Sequence, residues 1–482
     1  MKIFTTFSVY EVYFREVYSR LKKRNPELEF GGIVYGRAGY RNLLQKPFPW
    51  GQIDVFTDYL RKHYPSREPD MAYLEAKEKT LGIPNLPFYI ASDRALSRLP
   101  AQRALRMLEL TIRFTEDCLA RFQPDLIVMD DVSCMMSYLI HTMGRNQKIP
   151  VWSIGTVKLE DRISFYDDCL DKRKKIETAY EKLKNTPLTQ AQRDLAESYR
   201  REYVENFRPP SYLEYKGKVP TLSWEYAKRF ARLLRDYLSD PYDITRMSLS
   251  EILTRRISRV LRYQLGKVTR LFSDPVEGEK FVYFPLQAQP ERTTLILAPF
   301  YLDQVALLSN IAKSLPIGYR LYVKDHPIFL GRRPLAEYRR IRDVFNVRLI
   351  RTEHPSQDLV RRSEAVVTIS NTVGIEAILF EKPLLVLGNT FYNSYRNLTA
   401  VDNQKDLPQK TLQTLADFRP DREELLKWIT AVLQGSHEGT RRHPLLVPEV
   451  MSERNLDKVS AAFAQELEEE FGLKSCAVSS AS

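Results

Sequence analysis

Short apolar runs along this chain alternate with segments whose apolar residues recur three and four positions apart. Residues 2–7 read as a strand, and Val9, Val12, Tyr13, Val17 and Leu21 predict a helix over 9–24. A second strand is expected at 28–36. Residues 37–70, rich in proline, glycine and aromatics, are expected to form a long irregular connection, with helices following at 70–81 and 101–122. The stretch 124–156 reads as strand (125–129), helix (132–144) and strand (150–154). That alternation implies a parallel, doubly wound sheet, with Asp130 and Asp131 at the carboxyl end of a strand.

Residues 158–275 change character. They are charged and read as mostly helical, "DDCLDKRKKIETAYEKLK" being the clearest case, and are expected to be a helical insertion or connection. Within them, "LTRRISRVLRYQLGKVTRLF" (253–272) contains no acid. Ile257, Val260, Leu261, Leu265, Val268, Leu271 and Phe272 mark one helical face, and Arg255, Arg256, Arg259, Arg262, Lys267 and Arg270 lie largely elsewhere. A surface helix docked on the core and a basic amphipathic helix resting on anionic lipid or glycan both fit this pattern.

From residue 281 the alternation returns. Strands are predicted at 281–286, 320–324, 347–350, 364–370 and 383–388, with helices at 302–316, 334–345, 355–363 and 372–382 between them. A last helix is predicted at 452–471. The expected class is α/β: a Rossmann-like domain at 1–157, a helical segment at 158–275, a second Rossmann-like domain at 276–445 facing the first across a cleft, a C-terminal helix at 446–472 and a disordered tail at 473–482.

Length and composition narrow the function classes. The 482 residues are 43% hydrophobic and 28% charged, an ordinary globular balance with room for more than one core. The net charge of +12 suits an anionic partner such as phosphate, acidic glycan or membrane surface. The basic residues are scattered and no nucleic-acid-binding signature is present, so nucleic acid is not an expected partner. No apolar run approaches the ~20 residues of a membrane span. The start reads as a strand entering a helix, with Glu11 inside the apolar stretch, not as a signal peptide. The four cysteines have no metal-ligand spacing, and a reducing, cytoplasmic location is expected, with no metal and no cofactor.

The candidate chemistry sits where predicted strands end. In "LYVKDHPIFLG" (321–331) an apolar run stops at Lys324, Asp325, His326 and Pro327. A polar loop and an anion site both account for these residues. In the second case Lys324 supplies a cation, His326 donates to or protonates a phosphate oxygen, and Pro327 sets the turn. In "TISNTVGIEAILFEKP" (368–383), Ser370, Asn371 and Thr372 lead into a helix. Plain helix capping or an anion at the helix start would use them. Gly374 is expected to let a ligand approach the first turn, and Glu376 to face ribose hydroxyls. The loop "FPLQAQPERTTL" (284–295) adds Gln289 and Glu291, and "LGNTFYNSY" (387–395) follows the last strand. In a parallel sheet all these loops open on one side, which favours a sugar-nucleotide site over isolated loops. Asp130 and Asp131 are the candidate carboxylates for deprotonating an acceptor, against a solvated turn or helix cap.

"VYFPLQAQPERTTL", "LYVKDHP" and "TISNTVGIEAILFEKPLLVLGNTFY", in this order over about residues 280–395, resemble the capsule polysaccharide biosynthesis family, which includes Kdo transferases of the GT-B fold. The lysine–acid–His–Pro loop and the Ser-x-Thr…Glu helix are also similar to nucleotide-binding elements of bacterial sialyltransferases. The resemblance implies a metal-independent glycosyltransferase. Its donor site would comprise Lys324, His326, Ser370, Asn371, Thr372 and Glu376, with CMP-Kdo as the leading donor. The acceptor would be a glycan or a lipid-linked sugar, with peripheral contact at the inner face of an anionic membrane. Two alternatives share the architecture: a non-catalytic capsule polysaccharide binding or export protein, and a glycerophosphotransferase or sugar epimerase.

Overall fold

The computed structural model describes the chain except for residues 65–67, 82–84, 158, 160, 207–229, 232, 236, 239–242, 244–247, 330, 445–446 and 475–482. Most of the small-residue tail expected to be disordered therefore lies outside the described residues. The chain divides into two units. Unit 1 takes Met1–Cys169, Glu225–Met247 and Ser436–Ser482, and unit 2 takes Leu170–Trp224 and Ser248–Gly435. Each holds one sheet, so the fold is α/β.

In unit 1 the strands are β1 (Lys2–Phe7), β2 (Glu29–Val34), β3 (Trp50–Val55), β4 (Leu126–Met129), β5 (Val151–Thr156) and β6 (Arg162–Tyr166), with β13 (His437–Glu438) arriving from the far end of the chain. They lie in the order β13-β6-β5-β4-β1-β2-β3. The pairs from β3 to β5 are parallel, and β6 and β13 each run antiparallel to the neighbour before them. The helix Ala101–Phe122 covers this sheet with Ala104, Met107, Leu108, Thr111, Ile112, Thr115, Cys118, Leu119 and Phe122 buried, a 3.6-residue stripe. It stops at Gln123 in the left-handed conformation, just before Pro124. The helices Glu11–Arg24 and Glu453–Phe471 pack together, and their aromatic core includes Tyr18 stacked on Phe30 at 4.5 Å and edge-on to Phe463 at 6.0 Å.

Unit 2 carries β7 (Phe281–Pro285), β8 (Arg320–Lys324), β9 (Val347–Ile350), β10 (Ala365–Thr368), β11 (Leu384–Val386) and β12 (Thr399–Ala400), ordered β12-β11-β10-β7-β8-β9 and parallel throughout. This is the doubly wound dinucleotide-fold order. Chain progression reverses between β7 and β10, where such sheets open a crevice at their carboxyl edge. In unit 1 the reversal falls between β1 and β4.

Two expectations change. Residues 37–70 are not one irregular connection: they form the helix Arg37–Leu43, strand β3 and the helix Phe56–His63. The proline-rich approach to Trp50 and the glycine at 51 masked a short half-buried strand. Residues 158–275 are not helical throughout, because β6 runs antiparallel to β5 at their start. The helix Lys174–Leu183 buries Ile176, Tyr180 and Leu183 and packs on Arg422–Gln434 inside unit 2. Among the described residues, no helix is long and apolar enough to cross a membrane.

Candidate functional site

The strand register of unit 2 fixes which side chains share its carboxyl edge. Pro285 pairs with Lys324, and Val282 and Tyr283 pair with Ala365 and Val366. Past the strand ends, Gln287, Ser370 and His326 follow β7, β10 and β8 onto that edge, with Gln287 on the middle chain.

Gln287, which the sequence offers only as one polar residue of the loop 284–295, is the hub. With its amide turned so that the carbonyl oxygen faces β10, it accepts hydrogen bonds from the backbone N–H groups of Ser370 at 3.1 Å and Asn371 at 3.2 Å. Its own main chain is held by the buried side chain of Gln304, which accepts from its N–H at 2.8 Å and donates to its carbonyl at 3.1 Å. A glutamine pair of this kind is invisible to local patterning, because its members lie on a loop and on the next helix.

Lys324 ends β8 with its ammonium buried, donating to Ser356 Oγ at 2.9 Å. The Tyr283 hydroxyl bonds to Ser356 as well. Burial pulls the Lys324 pKa down to about 8, against Glu376, Asp325 and Glu353, which hold it up. Glu376, on the helix Val373–Leu379, is buried, and burial pushes its pKa up to about 7 while Lys324 opposes the shift. Among the described residues at this edge, Glu376 Oε2, Ser370 Oγ and, on the loop after β7, Thr293 Oγ1 are buried without a partner. Buried polar atoms are nearly always satisfied, so these oxygens at a sheet's reversal point are available to hydrogen-bond a polar ligand.

The neighbouring groups are committed to structure. Asp325 is buried and takes hydrogen bonds from the His326 N–H at 2.8 Å, Arg333 Nε at 3.0 Å and the Tyr338 hydroxyl at 2.5 Å. The loop acid of the lysine–acid–His–Pro stretch thus anchors the turn, through an arginine eight residues on. His326 Nδ1 accepts from the Ile328 N–H at 3.2 Å, which leaves the proton of the neutral ring on Nε2. Asn371 Oδ1 accepts from the Val373 N–H at 2.9 Å and from Thr372 Oγ1 at 3.3 Å. The start of this seven-residue helix is therefore capped from within. Gly374 does not make room for a ligand: a Cβ there would lie 2.5 Å from the Tyr392 hydroxyl, which itself donates to the Asn371 carbonyl at 2.6 Å. Gln289 is tied to the Leu302 carbonyl at 2.8 Å, and exposed Glu291 offers its own carbonyl to the turn at 293–297.

In unit 1 the reversal point gathers a different set. Asp130, beyond β4, accepts from Ser8 Oγ, beyond β1, at 2.7 Å. Arg441 Nη2 reaches Asp131 at 3.4 Å and Nη1 reaches Asp130 at 4.0 Å, while its guanidinium lies 4.8 Å from the Tyr10 ring centre. The Tyr166 hydroxyl donates to Asp131. Burial raises the Asp130 pKa despite Arg441, and burial with Asp130 nearby raises Glu11 to about 7. Arg441 lies some 310 residues from these aspartates, so spacing alone does not reveal the pairing. Among the described residues, no group of three or more His, Cys, Asp or Glu side chains is placed to hold a metal ion.

Residues 177–427 match the family described as Capsule polysaccharide biosynthesis protein. The chain belongs to that family. The match takes in the whole unit 2 sheet and extends well beyond the segment, about 280–395, on which the resemblance rested. A stretch of 125 residues is 31% identical to the capsule polysaccharide export protein KpsS of Escherichia coli, covering 25% of this chain and 30% of that protein. Among solved structures, the β-Kdo 2,7-transferase of Thermosulfurimonas dismutans KpsC is similar at 12% identity and a TM-score of 0.36, over 66% of this chain and 79% of that one. The UDP-GlcNAc 2-epimerase of Neisseria meningitidis is similar at 14% identity and a TM-score of 0.24, over 90% and 98%. These two likenesses assign no residue of this capsule-family chain.

Proposed function

We propose that this member of the capsule polysaccharide biosynthesis family is a glycosyltransferase of GT-B type whose unit 2 binds a nucleotide-activated sugar, with CMP-Kdo as the leading donor. One observation carries the reading. At the reversal point of a dinucleotide-fold sheet, a buried lysine interacts electrostatically with a buried glutamate whose Oε2 has no partner, and Ser370 Oγ at the same edge has none either. The Lys324 ammonium would offset the phosphate charge and the Nε2–H of His326 would donate to a phosphate oxygen. Glu376 Oε2 would accept from donor hydroxyls and Ser370 Oγ would donate to a phosphate oxygen, and Asn371 and Thr372 would shape the pocket wall. Gln289 and Glu291 would contact the donor from the loop after β7.

In the transfer, the acceptor oxygen bonds to the anomeric carbon as the bond from that carbon to the phosphate oxygen breaks. The acceptor proton passes to a carboxylate and the nucleotide phosphate leaves. Stabilising the charge that grows on the departing phosphate is the task that suits Lys324 and His326. Asp130 and Asp131 are the proposed acceptor-side carboxylates. The raised pKa of Asp130 makes its carboxylate a stronger proton acceptor than an ordinary aspartate. The acceptor is proposed to be a glycan or lipid-linked sugar, reached from the cytoplasm at an anionic membrane face, with no metal required.

The test is a thermal-shift screen of the full chain against cytidine, uridine and other nucleotides and their sugars. The proposal expects a stabilising shift with a CMP sugar that is lost in Ser370→Ala and Glu376→Ala. A uridine-specific shift would redirect the donor. A second reading, a non-catalytic polymer-binding protein, is favoured by the KpsS likeness. It expects stabilisation by acidic polysaccharide and none by any nucleotide.

A further inference from the structure

The helix Leu249–Val268 presents an apolar stripe to solvent. Leu253, Ile257, Leu261, Leu265 and Val268 are 45, 42, 56, 54 and 80% exposed. Their spacing of four, four, four and three residues puts all five within one third of the helix circumference. The other side is fixed to unit 2. Tyr263 is buried, Arg262 Nη1 donates to the Arg332 carbonyl at 2.9 Å, and a Cβ on Gly331 (φ +71°) would strike the Arg259 carbonyl. The face on which sequence alone would dock this helix is thus the face it turns outward. The docked face is instead tyrosine and arginine, which is why burial, with Arg332 and Arg256 nearby, lowers the Arg259 pKa to about 10.

Charge frames the stripe. The helix carries Arg255, Arg256, Arg259, Arg262 and Lys267 against a single acid, Glu251. Lys267 and Arg256 lie on one flank of the stripe by helical angle, and Arg255, paired with Glu251, lies on the other, while Arg262 belongs to the docked side. An aliphatic stripe between two basic rails complements a surface that is apolar beneath and anionic at its rim, which is a bilayer with acidic headgroups. A partner helix of ordinary composition would instead need acidic rails.

We infer that the outward face of this helix is the surface by which the chain lies on an anionic lipid bilayer, with Leu253, Ile257, Leu261 and Leu265 sunk to acyl-chain level and the flanking arginines and lysine at the headgroups. This names the surface for the peripheral membrane contact of the proposed function. It rests on the helix alone, so it stands or falls independently of the nucleotide site.

The test is co-sedimentation of the full chain with vesicles of equimolar phosphatidylglycerol and phosphatidylcholine, beside pure phosphatidylcholine vesicles. Binding is expected only to the anionic vesicles and should weaken with added salt. Changing Leu253, Ile257, Leu261 and Leu265 together to Ser should reduce partitioning at least about a hundredfold, given ~1.5–3 kcal/mol for each fully buried side chain. Arg255→Gln with Lys267→Gln should reduce it about thirtyfold, at about 1 kcal/mol per basic residue near such a surface. All six positions are exposed, so thermal unfolding should stay unchanged and confirm folding. Equal vesicle binding by the native and four-Ser chains would overturn the inference. So would a lipid-free, concentration-dependent dimer that the four-Ser chain loses, since a second copy would then be the occupant. Full protection of this helix from proteolysis and chemical labelling in the lipid-free monomer would overturn it too, because the chain itself would be covering the stripe.

Discussion

The two sheets break their strand order in the same way, yet they furnish the break with opposite electrostatics. In unit 1 two aspartates close around one buried arginine, with Ser8 and Tyr166 bonding the carboxylates. In unit 2 a lone ammonium is held by a serine hydroxyl, its carboxylate neighbour sits with a raised pKa, and Glu376 Oε2 and Ser370 Oγ lack partners. The first arrangement pairs its charges with one another, although Arg441 Nε is also buried without a partner, so an acceptor would have to compete with the arginine for the aspartates. The second holds its charges without an ion pair among the described residues and is the one proposed to take the donor. A shared topology thus supplies a place, and the side chains at its rim decide how its charges are met.

Breaking the paired set should have the largest effect. Arg441→Met leaves Asp130 and Asp131 without their cation and should cost about 3–5 kcal/mol of stability, read as a fall in denaturant midpoint. Adding Asp130→Asn should recover most of it. A loss below 1 kcal/mol would mean the arginine is held for a ligand and the two breaks are alike. Next comes Lys324→Met. It should weaken nucleotide binding about 10- to 150-fold by calorimetry, as expected for one charge-assisted hydrogen bond, while stability hardly changes because a desolvated charge has been removed. A stability loss matching that of Arg441→Met, with binding intact, would break the comparison.

Gly374→Ala should cost about 1–3 kcal/mol through the contact with Tyr392, with nucleotide affinity unchanged in the folded protein. A selective loss of affinity would restore glycine as a ligand contact. The smallest effect is a pH slope. Glu376 has a folded pKa above its ordinary value, so the folded state binds the extra proton. Stability should therefore fall as pH rises from the carboxylate range through about 7 and then level off. Lys324, depressed to about 8, loses its charge above that pH. Nucleotide affinity should decline in two steps, near 7 and near 8, and Glu376→Gln should erase the first step and the stability slope with it. A one-step profile in the native chain would uncouple Glu376 from the ligand.

The alternation of apolar runs with helical stripes made the unit 2 strands legible, because buried parallel strands are continuous apolar runs such as Val366–Thr368 and Leu384–Val386. Strands β3 and β6 escaped because glycine, glutamine and charged residues interrupt or border them. At the candidate site, local punctuation exposed Lys324, His326, Ser370 and Asn371, since polar residues that stop an apolar run stand out. Gln287 stood out only as one polar residue of its loop, and Ser356, Arg333 and Arg441 did not stand out. Each acts on a residue from another element, and only the register of the folded sheet or a long-range ion pair brings them together. The exposed stripe on Leu249–Val268 was legible as amphipathic, but which face met the protein was not.

The entry of β13 and of the helix Glu453–Phe471 into the first sheet has a bearing on how the molecule is made. A ribosome delivers everything unit 2 needs before it releases the residues that supply an edge strand, Phe463 and Arg441 to unit 1. The first segment synthesised must therefore wait, partly assembled and with apolar surface showing, while the later one matures. During biogenesis, chaperone demand and aggregation risk should centre on the amino-terminal half.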